Sequence, residues 1–461
     1  MATRYVNIDR DTPLLLPPDL RDWVPADHLV HFVIDAMAAI NVSAAPVNER
    51  GTGSRQYPPS LLLGLLVYSY ATGVFSSRQI ERTTYENVAV RLLCADTHPD
   101  HDTLCTFRRT NGALLQHAFA QVLELAARCG VLKVGGVAVA IDGTKVLANA
   151  SKHAAVSYAH AERTMQTLDL EIAELLAKAE QADATPLQDG LTIPAEVQRR
   201  QERKAQLARA RAEMEARAYA RCQAEQADHA QRLATRESAR AAGRKPRGPE
   251  PKAPDSTPGD KDQVNFTDAE SRIMKTKDGF QQSYNAQAGV ETDSRLVVGA
   301  RVSQAPNDKQ ELPADLRAVQ RHVAAATVLI DNGFVSEAAI TAAERDERGQ
   351  PTGLTILAAL QREPHGRTVA QLEKRPDPPA PGADAPFTER MRHRTATVEG
   401  RALYALRQQT VEPVFGIIKE VLGFRRFSLR GLAKVTLEWD LVTLAYNLKR
   451  LHRLGAVLRT A

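Results

Sequence analysis

"GGVAVAIDGTKV", residues 135–146, is where the chain changes period. Val137, Val139 and Ile141 alternate with the small Ala138 and Ala140, the two-residue repeat of a short buried strand. Asp142 falls at the carboxyl end of that strand, and Gly143 follows it. The β pattern returns at 282. "QSYNAQAGVETDSRLVVGARVSQ" alternates on both sides of "ETDSR" and reads as an antiparallel hairpin. A helix over 309–324, a strand "ATVLID" (326–331), a helix over 335–346 and a strand "LTILAAL" (354–360) come next. A Pro-rich loop (363–388) leads to closing helices near 401–422 and 432–451. The last carries Leu437, Leu441, Leu444 and Leu448 on its apolar face. Strand, long insert, hairpin, helix, strand, helix, strand, helix is an α/β layer order.

The insert has its own character. Met165, Leu168, Ile172 and Leu175 form a heptad-like series, and "PAEVQRRQERKAQLARARAEMEARAYAR" (194–221) is rich in Ala, Arg and Glu. Two long helices are expected, broken near "ATPLQDGLTIP" (184–194). The linker "GRKPRGPEPKAPDSTPGD" (243–260) has the composition of a disordered segment. A helical insertion over 155–260 therefore interrupts a domain running from 135 to 461.

Residues 1–130 read as mostly helical. Pro58 and Pro59 open one helix, and Ser76 or Ser77 caps the next, "SSRQIERTTYENVAVRLL". Asp102 is the expected cap of a further helix before Gly130. Arg78, Arg82, Arg91, Arg108 and Arg109 lie on these helices. The segment alone fits a helix-turn-helix-type DNA module and a helical packing domain with solvated arginines equally well.

With 461 residues the chain is long enough for two or three domains with real cores. A net charge of +5 and a pI near 9.0 favour a polyanionic partner without naming one. The four cysteines, Cys94, Cys105, Cys129 and Cys222, form no framework and point to a reducing, cytoplasmic compartment. "MATRYVNIDR" is not a signal peptide, and the apolar run 61–75 is short for a membrane span.

Two aspartates hold equivalent places: Asp142 in "VAIDG" and Asp331 in "VLIDNG", each at the end of an apolar strand. Ligand groups in α/β sheets gather at the carboxyl ends of strands, so neighbouring strands would bring the two carboxylates together. A third carboxylate would complete an oxygen-rich site of the kind magnesium or manganese prefers. Glu412 in "VEPVFGIIKE" (411–420) is the candidate, at a helix start or kink set by Pro413. Lys419, two turns on, shares its face and could hold a phosphate, and "FRRFSLRG" (424–431) continues the basic character. Taken singly, each of these residues has an ordinary structural explanation as turn former, helix-end charge or solvated lysine. Their joint pattern carries the functional reading.

At these residues the chain resembles a bacterial insertion-sequence transposase of the DDE superfamily, in the branch numbered eleven-eighty-two, related to the four/five-type clan. The resemblance covers nearly the whole chain. It rests on "YVNIDRDTPLLLPPDLRDWVPADHLVHFV", "YPPSLLLGLLVYSYATGVFSSRQIE", "DHDTLCTFRR", "IDGTKVLANASK", "DAESRIMKTKDGFQQSYNAQAGVE", "DNGF" and "YALRQQTVEPVFGIIKEVLGFRRFSLRG". The last is similar to the family's Tyr-Arg-Glu-Lys signature, filled here by Tyr404, Arg407, Glu412 and Lys419. The gap between Arg407 and Glu412 is one residue longer than the clan's pattern. The resemblance implies an α+β multidomain protein: a helical DNA-binding domain over 1–130 and an RNase H-like catalytic domain with the helical insertion. It implies Asp142, Asp331 and Glu412 as catalytic ligands of magnesium or manganese, two ions per site. Tyr404, Arg407, Lys419, Arg425 and Arg426, with Arg78, Arg82, Arg108 and Arg109, become the expected DNA contacts. Double-stranded DNA is the expected partner, as inverted-repeat ends and as target. At least a homodimer is implied, because two ends must be joined, in a nucleoid-associated bacterial protein. The expected chemistry is strand cleavage followed by strand transfer. A metal-dependent nuclease without strand transfer, and a non-catalytic DNA-binding scaffold, use the same sequence features.

"CADTHPDHDTLC" spaces Cys94, His98, His101 and Cys105 at tempting intervals, but not in a common zinc pattern, and chance is the better reading.

Overall fold

The computed structural model describes residues 19–46, 56–151, 154–184, 193–243, 245–246, 248–360, 376–382 and 384–458. The opening 18 residues, the break at 185–192 and the loop segment 361–375 lie outside them. The chain divides into two compact units. The first comprises residues 1–146, 285–429 and 433–461, and the second 147–284 with 430–432.

The N-terminal part is helical: α1 (Leu29–Ala39), α2 (Pro59–Ala71), α3 (Ser77–Glu86), α4 (Val88–Leu93), α5 (His101–Thr110) and α6 (Gly112–Arg128). The single helix expected from Ser76 to Leu93 is two. Asn87 takes an extended conformation and its side chain caps α4, accepting from Val90 N. The cap of α5 is Asp100, which accepts from Thr103 N, and not Asp102, which sits in the first turn. Both corrections have one cause. Asn and Asp compete with the helix for backbone donors, and where several stand together only the fold selects one.

Then come β1 (Gly135–Leu147), β2 (Ala155–Ser157), α7 (Tyr158–Ala184), α8 (Ile193–Ala241), β3 (Gln263–Asn265), β4 (Arg272–Thr276), β5 (Gly279–Glu291), β6 (Val297–Ser303) and α9 (Leu312–Gln320). β7 (Ala324–Ile330), α10 (Glu337–Glu344), β8 (Thr355–Ala358), α11 (Phe387–Ala396), α12 (Val398–Gly416) and α13 (Leu432–Arg453) complete the order. The architecture is mixed α and β, as expected. β1 does not end at Asp142 but runs five residues beyond it.

In the first unit the sheet runs β6-β5-β1-β7-β8, with β1 parallel to β7 and β7 parallel to β8. β5 and β6 form the expected hairpin, with Gly289 opposite Gly299. These glycines exist for close approach. A Cβ on either would lie 2.3 Å or 2.8 Å from Val319 Cγ2, so α9 packs directly on bare backbone. α13 is buried through most of its length. Its indole Trp439 Nε1 donates to Gln287 O at 3.0 Å. The Asn447 amide both accepts from Val297 N and donates to Val297 O at 2.8 Å. A polar residue inside an apolar helix thus satisfies an outer strand that has no further sheet partner at that point.

In the second unit α7 and α8 lie side by side. Leu168 on α7 packs with Leu207, Ala210 and Met214 on α8, and with Val156 and Val264 from the β2–β3 ribbon. Met165 and Leu168 of the heptad-like series thus pack within one chain. Beyond α8 the described residues of the linker touch the helix again. The carbonyls of Gly248 and Pro251 lie 3.0 Å and 3.2 Å from Arg236 and His229, so this stretch folds back along the helix. β4 pairs with the first residues of β5.

Candidate active site

The parallel pairing of β1 with β7 sets Val139 opposite Val328 and Ala140 opposite Leu329. Two residues further along each strand stand Asp142 and Asp331. The register therefore brings the two carboxylates to the same level on neighbouring strands. Asp142 Oδ1 accepts from Gly143 N at 2.8 Å. Asp331 caps a short 3-10 turn (Asn332–Phe334), accepting from Gly333 N at 2.8 Å. Asp331 is thus a turn former as well as a member of the pair, whereas Asp142 lies within β1 and forms no turn.

α12 brings the third group. Glu412 lies well inside this helix and not at its start, although Pro413 follows it. The distortion comes later, where Ile417–Val421 open into a π-helical turn. Arg407 joins the carboxylates: one terminal nitrogen lies 3.2 Å from Asp142 Oδ2, the other 3.5 Å from Glu412 Oε1. Tyr404 OH donates to Ile330 O at 3.1 Å, tying α12 to the end of β7. Lys419 Nζ donates to Thr144 Oγ1 at 2.6 Å and to Lys145 O at 2.7 Å, tying the π turn to β1.

The electrostatics follow from burial and crowding. Burial raises the Asp142 carboxyl to about 6, the Asp331 carboxylate adds to the rise, and Arg407 opposes it. Burial also lowers the Lys145 ammonium, with Asp308 opposing, 3.8 Å away. Among the described residues no three His, Cys, Asp or Glu side chains stand close enough to hold a metal ion. The donor chemistry nevertheless fits a hard divalent cation. Asp142 and Asp331 offer only oxygen, and their repulsion is what a cation relieves; Glu412 is the exposed third oxygen donor, beside Arg407.

Several participants were missed by the sequence reading. Alternation along β1 points Gly143 and Lys145 to the face opposite Asp142. A Cβ on Gly143 would lie 2.5–2.8 Å from Gln287 Nε2, Asp308 Oδ1 and Asn285 Oδ1. The amides of Asn285 and Gln287 each donate to Asp308 Oδ1 at 2.6 Å. Asn285 and Gln287 alternate in "SYNAQ" and could have been read as one polar face inside a buried strand. Asp308, in a loop, could not.

The other expected DNA contacts are scattered. Arg78, Arg82 and Arg109 are exposed on α3 and α5, Arg82 beside Glu86 at 3.5 Å. Arg426 is exposed, and Arg425 pairs with Glu420. Arg108 is a correction. It is 4% exposed and donates to Tyr70 OH at 2.8 Å and Phe75 O at 3.1 Å. Tyr70 in turn donates to Glu438, which accepts from the backbone of Ser428 and Leu429. Arg108 is turned inward, and its charge answers a buried carboxylate. The zinc spacing also dissolves. Cys94 is buried with its thiol pushed up to about 12, and His101 Nδ1 lies 2.7 Å from Glu81.

Residues 18–110 match the family model of a transposase domain, and residues 383–452 match that of a transposase DDE domain. These matches support a DDE transposase. The second spans α11, α12 and nearly all of α13, and so contains Tyr404, Arg407, Glu412 and Lys419. No curated protein and no solved structure matches the chain. Among the described residues no helix is long and apolar enough to cross a membrane.

Proposed function

We propose that this chain is a transposase that binds the inverted-repeat ends of its element and cleaves and joins DNA strands in a metal-dependent Asp-Asp-Glu site on an RNase H-like core. The observation that carries the reading is the register of β1 on β7, with Arg407 linking that pair to Glu412. The motifs resemble those of the branch numbered eleven-eighty-two. Residues 1–130 form the end-binding domain, residues 135–461 the catalytic domain, and 155–260 its insertion.

Asp142, Asp331 and Glu412 would hold magnesium or manganese. Metal bound there supplies charge stabilisation at the scissile phosphate and a more acidic attacking hydroxyl. The protein's own part is positional. Lys419, held against β1 by Thr144 and the Lys145 carbonyl, would offer a positive charge to a passing phosphate. Tyr404 fixes the helix bearing Arg407 and Glu412 on β7. Arg425, Arg426, Arg78, Arg82 and Arg109 extend the basic surface for duplex DNA. A homodimer or larger assembly brings two ends together.

The test is cleavage of a labelled duplex carrying the flanking inverted repeat, with magnesium, by wild type and Glu412→Gln. Nicking at the repeat boundary that is lost in the variant, with DNA binding retained, is expected. Binding without cleavage by either protein under varied metals moves the reading to a DNA-binding scaffold.

A further inference from the structure

Arg407 touches two of the three candidate carboxylates at once, and they come from different elements, Asp142 from β1 and Glu412 from its own helix α12. Its side chain is 12% exposed, so the guanidinium is held in place and weakly screened. Tyr404, one turn before it, anchors the same stretch of α12 to the Ile330 carbonyl, which limits how far the arginine can drift. The other nearby cations are differently engaged. Lys419 is bound to Thr144 and the Lys145 carbonyl, and Lys145 faces Asp308. Arg407 bridges Asp142 and Glu412. A divalent ion that takes oxygen from both comes up against the guanidinium, which occupies Asp142 Oδ2 and Glu412 Oε1 and repels a second positive charge beside them.

Resting on the carboxylate reading above, we propose that Arg407 is the internal counter-ion of this site and competes with divalent metal for Asp142 and Glu412. It acts as a positioning residue. The guanidinium links strand to helix and keeps the two carboxylates facing one another, and metal enters only as Arg407 withdraws. The metal affinity of the chain alone is therefore lower than its carboxylates would set.

The experiment is manganese(II) binding to the full chain, followed by the paramagnetic resonance signal of the free ion. Wild type is compared with Arg407→Gln, Arg407→Lys and Asp142→Asn, each checked for folding by circular dichroism. Arg407→Gln removes the charge and is expected to bind manganese about tenfold more tightly or better. Arg407→Lys keeps charge without the fork, reaches one carboxylate, and is expected to tighten binding by less; it carries the test if the glutamine variant fails to fold. Unchanged or weaker binding in the folded Arg407 variants, with binding lost in Asp142→Asn, overturns the role of Arg407 and leaves the carboxylate site standing. Binding unchanged in Asp142→Asn places the ion elsewhere and overturns both.

Discussion

Gly143 shows how a single missing side chain sets the site. Asn285, Gln287 and Asp308 occupy the space a Cβ would need, and the two amides are buried and spent on Asp308. Gly143→Ala is expected to cost about 1–3 kcal/mol of stability and to displace Asp142 beside it, seen as a lower unfolding midpoint together with lost cleavage. Asp440 makes a second case, away from the site. Burial raises its carboxyl to about 7 against a hydrogen bond from Gln116, and Oδ2 has no hydrogen-bond partner. An acid raised this way is neutral in the folded chain below pH 7 and carries a penalty above it. That penalty is lost as pH falls through 7 toward the unfolded value near 4. Asp440→Asn is therefore expected to raise the melting temperature by about 2–4 °C at pH 8 and to change it little at pH 5. Asp142 and Asp331 were legible because both follow apolar strand runs with a glycine close behind, a pattern that mattered only jointly. Asp308 and Lys145 were not, since a loop aspartate and a strand lysine have no pattern until folding puts them together.

At the scale of elements, the decisive feature is how late helices meet early strands. α12 reaches β7 through Tyr404 and β1 through Arg407, and the π turn after Gly416 carries Lys419 onto Thr144. Periodicity found a helix near 401–422, but Pro413 left Glu412 at either a helix start or a kink. Proline after a carboxylate is a common opening, and nothing local says that the helix has already run fourteen residues. The N-terminal helices meet the C-terminal turn through Arg108, Tyr70 and Glu438, with Phe75, Phe424 and Trp439 packed around them. Arg108→Met is expected to lower stability by about 3 kcal/mol, because Glu438 then loses the charge that answers its own. The same change should leave the salt dependence of DNA binding untouched. Arg109→Met is expected to do the reverse, with near-normal melting and a salt slope smaller by about 1 if it meets a phosphate. Melting curves and anisotropy titrations on the two variants separate a core arginine from a surface one, which their adjacency in sequence could not.

For the whole molecule, a net charge of +5 in a chain with many exposed arginines predicts affinity governed by counterion release. Six to ten phosphate contacts would lower duplex affinity by about 10³ to 10⁵ between 50 and 200 mM salt. A flat salt response in anisotropy titrations would remove duplex DNA as the main partner. The sequence by itself determined the mixed α and β composition, the order of most strands and helices, the long helical pair, and three carboxylates worth attention. These are encoded in periods of two and near four, which act over a few residues. Only the tertiary structure decided that β1 lies beside β7, that their register levels Asp142 with Asp331, that Arg407 bridges toward Glu412, and that Arg108 turns inward. Those outcomes depend on which apolar faces pack together over hundreds of residues. Burial then settles which charges must find each other.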